Sequence, residues 1–388
     1  MPIINRVAAL ADEVSVWRRD IHQHPELGFE VHRTAALVEE KLRSFGCDEV
    51  FGGIAKTGVV GIIRGRKSGS NAVIGLRADM DALPIQETTG LAYASRNEGK
   101  MHACGHDGHT AMLLGAAKYL AETRNFSGTA VLIFQPAEEG GGGARLMVEE
   151  GIMDRFAIDE VYGMHNWPGI PAGQFAIRPG PLMAAADKFD ITIDGRGSHA
   201  AQPHLSIDTL AIGCQLHQAL QMIVARNVDP LDSAVISVTM FHAGAAHNII
   251  PQQTLLAGTV RTLRPETRAV VIRRMHDVCE HIGRLHDAKI ELNYINGVGC
   301  TFNHAEPTNG AIAAARDVAG EKGVDTTVLP TMAGEDFSLM LEARPGALIF
   351  VGNGPSAGLH HPDYDFNDGT IAAGVSYWSR LVEMQLPG

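Results

Sequence analysis

The densest run of reactive side chains is Met101-His102-Ala103-Cys104-Gly105-His106-Asp107-Gly108-His109-Thr110, where three histidines, a cysteine and an aspartate fall within eight positions. Thiolate, imidazole and carboxylate are the donors that hold Zn²⁺ and related ions. If the segment is extended, Cys104 and His106 project to one side, and the glycines at 105 and 108 allow tight turns. The competing reading is a helix N-terminus with polar residues there by chance. A second segment, Phe134-Gln135-Pro136-Ala137-Glu138-Glu139-Gly140-Gly141-Gly142-Gly143, puts two carboxylates directly after an apolar run. Neighbours on an extended backbone face opposite sides, so one carboxylate can face a cation and the other a water. Paired acids are usually solvated surface, but the preceding buried strand favours the functional reading. No Gly-Lys-Ser/Thr follows the glycines, so a phosphate loop is a weak rival. His165 follows Val161-Tyr162-Gly163-Met164, and Leu359-His360-His361-Pro362 follows another apolar run. One histidine alone is more often a structural group than a ligand. Here four separate pieces carry ligand-type residues, three of them just past an expected strand end, where open α/β sheets build their sites.

A closed structural zinc site needs four ligands. This chain offers Cys104, His106, Glu139, His165 and one of His360 and His361, with Glu138 to spare. That set suits two cations that clamp and ionise a water between them.

The elements that must position these residues are legible as periodicities. Residues 1–45 read as mainly helical, ending near Gly46. Runs at 59–63, 72–78, 129–135 and 160–164 read as buried strands. Residues 110–122 and 145–150 read as helices, the first from apolar positions at Leu113, Ala116, Ala117 and Leu120. Alternating helices and strands predict an α/β sheet. From about residue 186 the pattern changes. Phe189, Ile191 and Ile193 alternate with polar residues, and Ile207, Leu210, Ala211 and Cys214 mark a helix face. Ile236, Val238 and Met240 alternate, and 254–262 is a further strand. Val271, Met275, Val278, Ile282 and Leu285 mark a second helix, and Ile290, Leu292 and Tyr294 alternate again. The order is β-α-β-β-α-β, the ferredoxin-like arrangement. An inserted domain is therefore expected at 186–296, within a discontinuous domain of 1–185 and 297–388. Helices at 310–320 and 371–384 and a strand at 347–351 complete the larger domain.

Composition narrows the function. With 44 acidic and 32 basic residues the net charge is −12, which argues against a nucleic-acid partner. No apolar run is long enough to span a bilayer, and the N-terminus reads as an amphipathic helix rather than a signal peptide. Five irregularly spaced cysteines argue against a disulfide framework and for a reducing, cytoplasmic setting. Gly354-Pro355-Ser356-Ala357-Gly358 matches a serine-nucleophile pattern, but Pro362 and a polar loop follow instead of a helix, and His360 lies only four residues on. His276, His281 and His286 recur at five-residue spacing and do not share a helix face. Cys214 and Cys279 read as packing residues, and Glu335-Asp336 either lines the site or caps a helix near Phe337.

Together the segments resemble the amidohydrolase branch of the M20 metallopeptidase family, which includes hippurate hydrolases, N-acyl-amino-acid amidohydrolases and plant auxin-conjugate hydrolases. The resemblance rests on His22-Gln23-His24-Pro25-Glu26-Leu27, Gly75-Leu76-Arg77-Ala78-Asp79-Met80-Asp81-Ala82-Leu83-Pro84, the Cys104 and Glu138 segments, Gly163-Met164-His165, Gly197-Ser198-His199-Ala200-Ala201-Gln202-Pro203-His204, Gly334-Glu335-Asp336-Phe337 and Leu359-His360-His361-Pro362. It implies a metallo-exopeptidase-like catalytic domain with a mixed sheet, and an inserted ferredoxin-like lid and dimerisation domain. It implies two divalent cations (zinc, manganese, cobalt or nickel) held by Cys104, His106, Glu139, His165 and, from the Leu-His-x-Pro pattern, His360. Glu138 is then the general base. His199 is the oxyanion-stabilising group, supplied in related enzymes by the partner subunit of a dimer, and Asn248 and Arg261 lie near the substrate. The implied reaction is hydrolysis of N-acyl amino acids, with a dipeptidase, a metabolite-specific deacetylase or a non-catalytic binding protein as alternatives. The wider family commonly has His-x-Asp where this chain has Asp79-Met80-Asp81, so ligation from that segment is not expected and Asp81 is at most an orienting group.

Overall fold

The computed structural model of the chain describes residues 4–388. Contacts divide it into two units: the chain up to Gly180 with Phe302–Leu329 and Asp336–Gly388, and Pro181–Thr301 with Pro330–Glu335. The division falls slightly outside residues 186 and 296, in part because the strand Lys289–Val298 runs past the last alternating apolar residue.

The first unit is built on an eight-stranded sheet in the order Glu49–Ile54, Gly58–Arg64, Thr129–Gln135, Val73–Asp79, Glu160–Pro168, Gly346–Gly354, Phe175–Ala176, Val324–Asp325. The four strands from Thr129–Gln135 to Gly346–Gly354 are mutually parallel, whereas the flanks include antiparallel pairs. Central strands covered on both faces cannot alternate, which is why 130–134 is an unbroken apolar run with no exposed residue. Glu49–Ile54 was not expected: it is a half-exposed edge strand, and Gly52 and Gly53 hide its pattern. The helix His106–Thr123 packs against Asn5–Gln23 and Ile371–Gln385 as well as against the sheet, so it is apolar on every side. The packing is close. A Cβ on Gly115 would come within 2.7 Å of Val375 and 3.0 Å of Val14.

The second unit holds a four-stranded sheet in the order Ala234–Ala243, Gln253–Thr262, Ala185–Asp194, Lys289–Val298, all antiparallel. With helices Thr209–Asn227 and Pro265–Leu285 this is the ferredoxin-like arrangement. The first helix is turned relative to expectation. It buries Ile212, Leu216, Leu220 and Ile223, while Leu210 and Cys214 are exposed. Two apolar stripes run along this helix, and the one read from the sequence faces outward. In the second helix Cys279 is buried as expected, but Leu285 is exposed. No helix among the described residues is long and apolar enough to cross a membrane.

Candidate metal centre

The site forms at the C-terminal ends of the four parallel strands. Val73–Asp79 leads to Asp81, Thr129–Gln135 leads to Glu138 and Glu139, Glu160–Pro168 carries His165, and the loop after Gly346–Gly354 carries His360. His165 lies within its strand, which runs four residues beyond the expected end at 164 because Asn166 and Trp167 continue the pairing with Val351 and Gly352.

The Cys104 segment is not extended. Gly105 takes a left-handed conformation (φ 89°) and the helix starts at His106 rather than near 110, so a turn brings Cys104 and His106 together. Only glycine fits, since a Cβ there would lie 2.3 Å from Asn166 Oδ1. Glu138 and Glu139 likewise sit in a turn, after Ala137 at φ 55°. Their backbone N–H groups donate to the two carboxylate oxygens of Asp81, at 3.0 and 3.1 Å. This local fold replaces the expected opposite-facing pair. His360 also takes a left-handed conformation (φ 64°), and its N–H donates to the Ala103 carbonyl at 2.7 Å. His361 faces Asp363 instead.

Ligand atoms of Cys104, His106 and His165 lie within 4.8 Å of one another, as do those of Cys104, Glu139 and His360, and those of His106, Glu138 and Glu139. The histidine tautomers follow from their neighbours. His106 Nδ1–H donates to the Asp81 carbonyl at 2.8 Å, which turns Nε2 inward. That buried Nε2 has no hydrogen-bond partner. His165 Nδ1–H donates to the Asn166 carbonyl at 2.7 Å, and its Nε2 lies 3.4 Å from Cys104 Sγ. Glu139 Oε1 and His360 Nε2 approach to 3.1 Å, yet Glu139 Oε1 has no hydrogen-bonded partner. Orphaned, converging donors are costly in a protein interior unless something occupies the point they share. Imidazole, thiolate and carboxylate together suit a borderline divalent cation, and backbone carbonyls like those behind His106 and His165 are a usual support for such ligands.

The electrostatics agree. Burial pushes the Cys104 thiol well above its ordinary range, with the two glutamates adding to the effect against the pull of His106. Burial, His109 and His106 hold His165 well below, so it is neutral and able to donate. Burial alone would lower His106, but Asp79 and Cys104 raise it well above its usual value. The buried thiol therefore ionises there only beside a cation.

Behind the ligand atoms lies a buried scaffold that the sequence hardly signals. Asp79 accepts from His109 Nδ1 at 2.6 Å and from Arg77 Nη1 at 2.7 Å, so its oxygens are already engaged. The Asn166 N–H donates to His109 Nε2 at 2.9 Å. Arg77 also donates to Gln135 Oε1 at 2.8 Å and Asp336 Oδ1 at 3.0 Å. Asp336 further accepts from Gln135 Nε2 and the Ala144 N–H. Asp336 thus belongs to the scaffold of the site, and its carboxylate reaches the first turn of the helix Gly143–Glu149; the helix expected near Phe337 begins at Ser338. A buried arginine inside an apolar strand was the available signal. The serine reading fails, because exposed Ser356 meets Asn353 and the Ala357 carbonyl, and no helix follows it directly.

The remaining expected residues lie in the second unit. His199 is exposed on a short strand paired with Ile249–Ile250, directly beside Asn248, whose carbonyl accepts from the Ala200 N–H at 3.0 Å. Arg261 is half-buried on Gln253–Thr262, and its Nη1 donates to Thr259 Oγ1 at 2.8 Å.

Comparison with known proteins fits this geometry. The description "Peptidase family M20/M25/M40" matches residues 75–384. The chain is 43% identical over 381 residues to a hippurate hydrolase of Campylobacter jejuni, covering 98% of each chain. It is 45% identical over 356 residues to an N-acyl-L-amino acid amidohydrolase of Geobacillus stearothermophilus, covering 89% of this chain and 93% of that one. A crystal structure from Bacillus subtilis, described as a dinuclear metal binding peptidase from the M20 family, superposes with a TM-score of 0.85 at 35% identity, covering 98% of this chain and 99% of that one. With the family match spanning most of the chain, and with relatives of this identity and coverage, the protein belongs to peptidase family M20/M25/M40.

Proposed function

We propose that the protein hydrolyses the amide bond of N-acyl amino acids, with two divalent cations held by Cys104, His106, Glu139, His165 and His360. The observation that carries this reading is the convergence of the ligand atoms beside Glu138, two of them, His106 Nε2 and Glu139 Oε1, buried without a hydrogen-bond partner. The names of the relatives, a hippurate hydrolase and an N-acyl-L-amino acid amidohydrolase, support the substrate class.

When bound, the cations lower the pKa of water and polarise the amide carbonyl. Glu138 takes a proton from the attacking water and later returns it to the leaving amine. The Asp81 carboxylate holds the turn that aims Glu138 and Glu139. His106 and His165 stay in place through the backbone carbonyls of Asp81 and Asn166. His199 donates to the oxyanion, contributed by the partner subunit of a dimer, and Asn248 or Arg261 grips the free carboxylate of the amino-acid half. In this reading the unit with the eight-stranded sheet is catalytic, and the ferredoxin-like unit serves as lid and dimerisation domain.

The test is amine release from a panel of N-benzoyl, N-acetyl and dipeptide substrates, with chelated and metal-restored protein. Chelation abolishes release and metal restores it. Metal-loaded protein that binds acyl amino acids but releases no amine overturns the reading in favour of a binding protein. Release from dipeptides alone makes it a dipeptidase.

A further inference from the structure

We propose that Trp167 determines the acyl-group preference, by giving flat apolar acyl groups a ring face to lie on. The proposal rests on the amide-hydrolysis reading above and goes further, to the shape of the group removed.

The chain has three tryptophans. Trp17 and Trp378 are buried, as core tryptophans are, but Trp167 is half-buried and sits two residues after the candidate ligand His165. Along Glu160–Pro168, Tyr162 and Met164 point into the main core. Alternation puts His165 and Trp167 together on the other face. The register pairs Phe350 with His165, so Phe350 shares that face. The Trp167 ring stacks on buried Phe350 at 4.3 Å and 31°, and meets the His165 ring at 6.1 Å and 63°. Phe350 thus fixes the indole from one side, and His165 fixes where the ledge begins.

A carbonyl held for attack beside Cys104 and His165 is next to this ledge, and one of the two groups bonded to it, the acyl half or the amino-acid half, meets Trp167. The amino-acid half carries a carboxylate, which needs donors or a cation. None of the cation–ring contacts among the described residues involves Trp167, and the ledge itself is aromatic. The acyl half is the better match, and an aromatic acyl group adds offset or edge-to-face ring contact to the burial of its area.

The experiment compares kcat/KM for N-benzoylglycine and N-acetylglycine, which share one amino acid, in wild type, Trp167→Ala and Trp167→Phe. The benzoyl-to-acetyl ratio falls by about tenfold in Trp167→Ala, and Trp167→Phe restores most of it. A merely structural role lowers both substrates equally, and that result, or an unchanged ratio, overturns the proposal. So does a change confined to aromatic against small amino-acid side chains, which would put the other half of the substrate on the ledge. A second readout is direct titration of metal-loaded protein with benzoate and acetate: benzoate binds more tightly, and Trp167→Ala loses that advantage. If wild type cleaves neither substrate, the reaction reading fails, and this titration still decides the role of Trp167.

Discussion

Asp81 is the residue whose removal exposes the logic of the centre. It is buried, and its carboxylate accepts the N–H groups of both Glu138 and Glu139 at 3.0 and 3.1 Å. Its own backbone carbonyl fixes His106 at 2.8 Å. Asp81→Asn keeps the shape and the carbonyl contact but removes the charge, and it turns an amide NH₂ toward one of the two donors. One charge-assisted hydrogen bond becomes neutral and the other donor is left facing a donor. Together these cost about 2–4 kcal/mol. Because the turn they hold carries a candidate ligand, much of that loss falls on the metallated state. Cation affinity is expected to drop by about 10–100-fold, the usual effect of losing a group that orients ligands. The assay is competition with a chromogenic chelator, with circular dichroism confirming that the fold persists. Cation affinity within about twofold of wild type would refute the reasoning, since it would mean the turn does not need the carboxylate.

Four further outcomes follow from the same geometry. Glu138→Gln keeps its metals but loses about a hundredfold or more in kcat, measured by amine release alongside metal content. Gly105→Ala, which needs φ 89° and a Cβ 2.3 Å from Asn166 Oδ1, lowers thermal stability and metal content together, read by melting with and without metal. Metal loading releases a proton from Cys104, because burial holds its thiol protonated in the metal-free protein; an indicator dye shows less release in Cys104→Ser. The fourth concerns His22. Burial alone would lower its pKa, but Asp107 at 2.8 Å and Glu87 at 3.4 Å push it up to about 9 against the like charge of Arg18. The folded value lies above the unfolded 6.5, so the stabilisation is complete below 6.5 and is lost as pH rises through 9. It amounts to at most about 3 kcal/mol. Urea unfolding across that range shows a decline in wild type that His22→Asn lacks.

What the sequence reveals depends on how local its cause is. Continuous apolar runs such as 130–134 betray central parallel strands, because burial on both faces leaves its mark on every residue. The alternation of Phe189, Ile191 and Ile193 likewise predicts a sheet covered on one face. Turns are less visible. Cys104 and His106 meet through one left-handed glycine, and Glu138 and Glu139 are aimed by the carboxylate of Asp81, far away in sequence. The phase of Thr209–Asn227 is hidden for another reason: the helix carries two apolar stripes, and only packing selects between them. The scaffold of Arg77, Asp79, Gln135 and Asp336 joins three segments that only tertiary structure brings together.

Anomalous diffraction from metal-loaded crystals tests the central claim most directly. Two peaks per chain are expected, about 3.5–4 Å apart, contacting Cys104, His106, Glu139, His165 and His360. Peaks elsewhere, or a fully loaded crystal with none among those side chains, would contradict it.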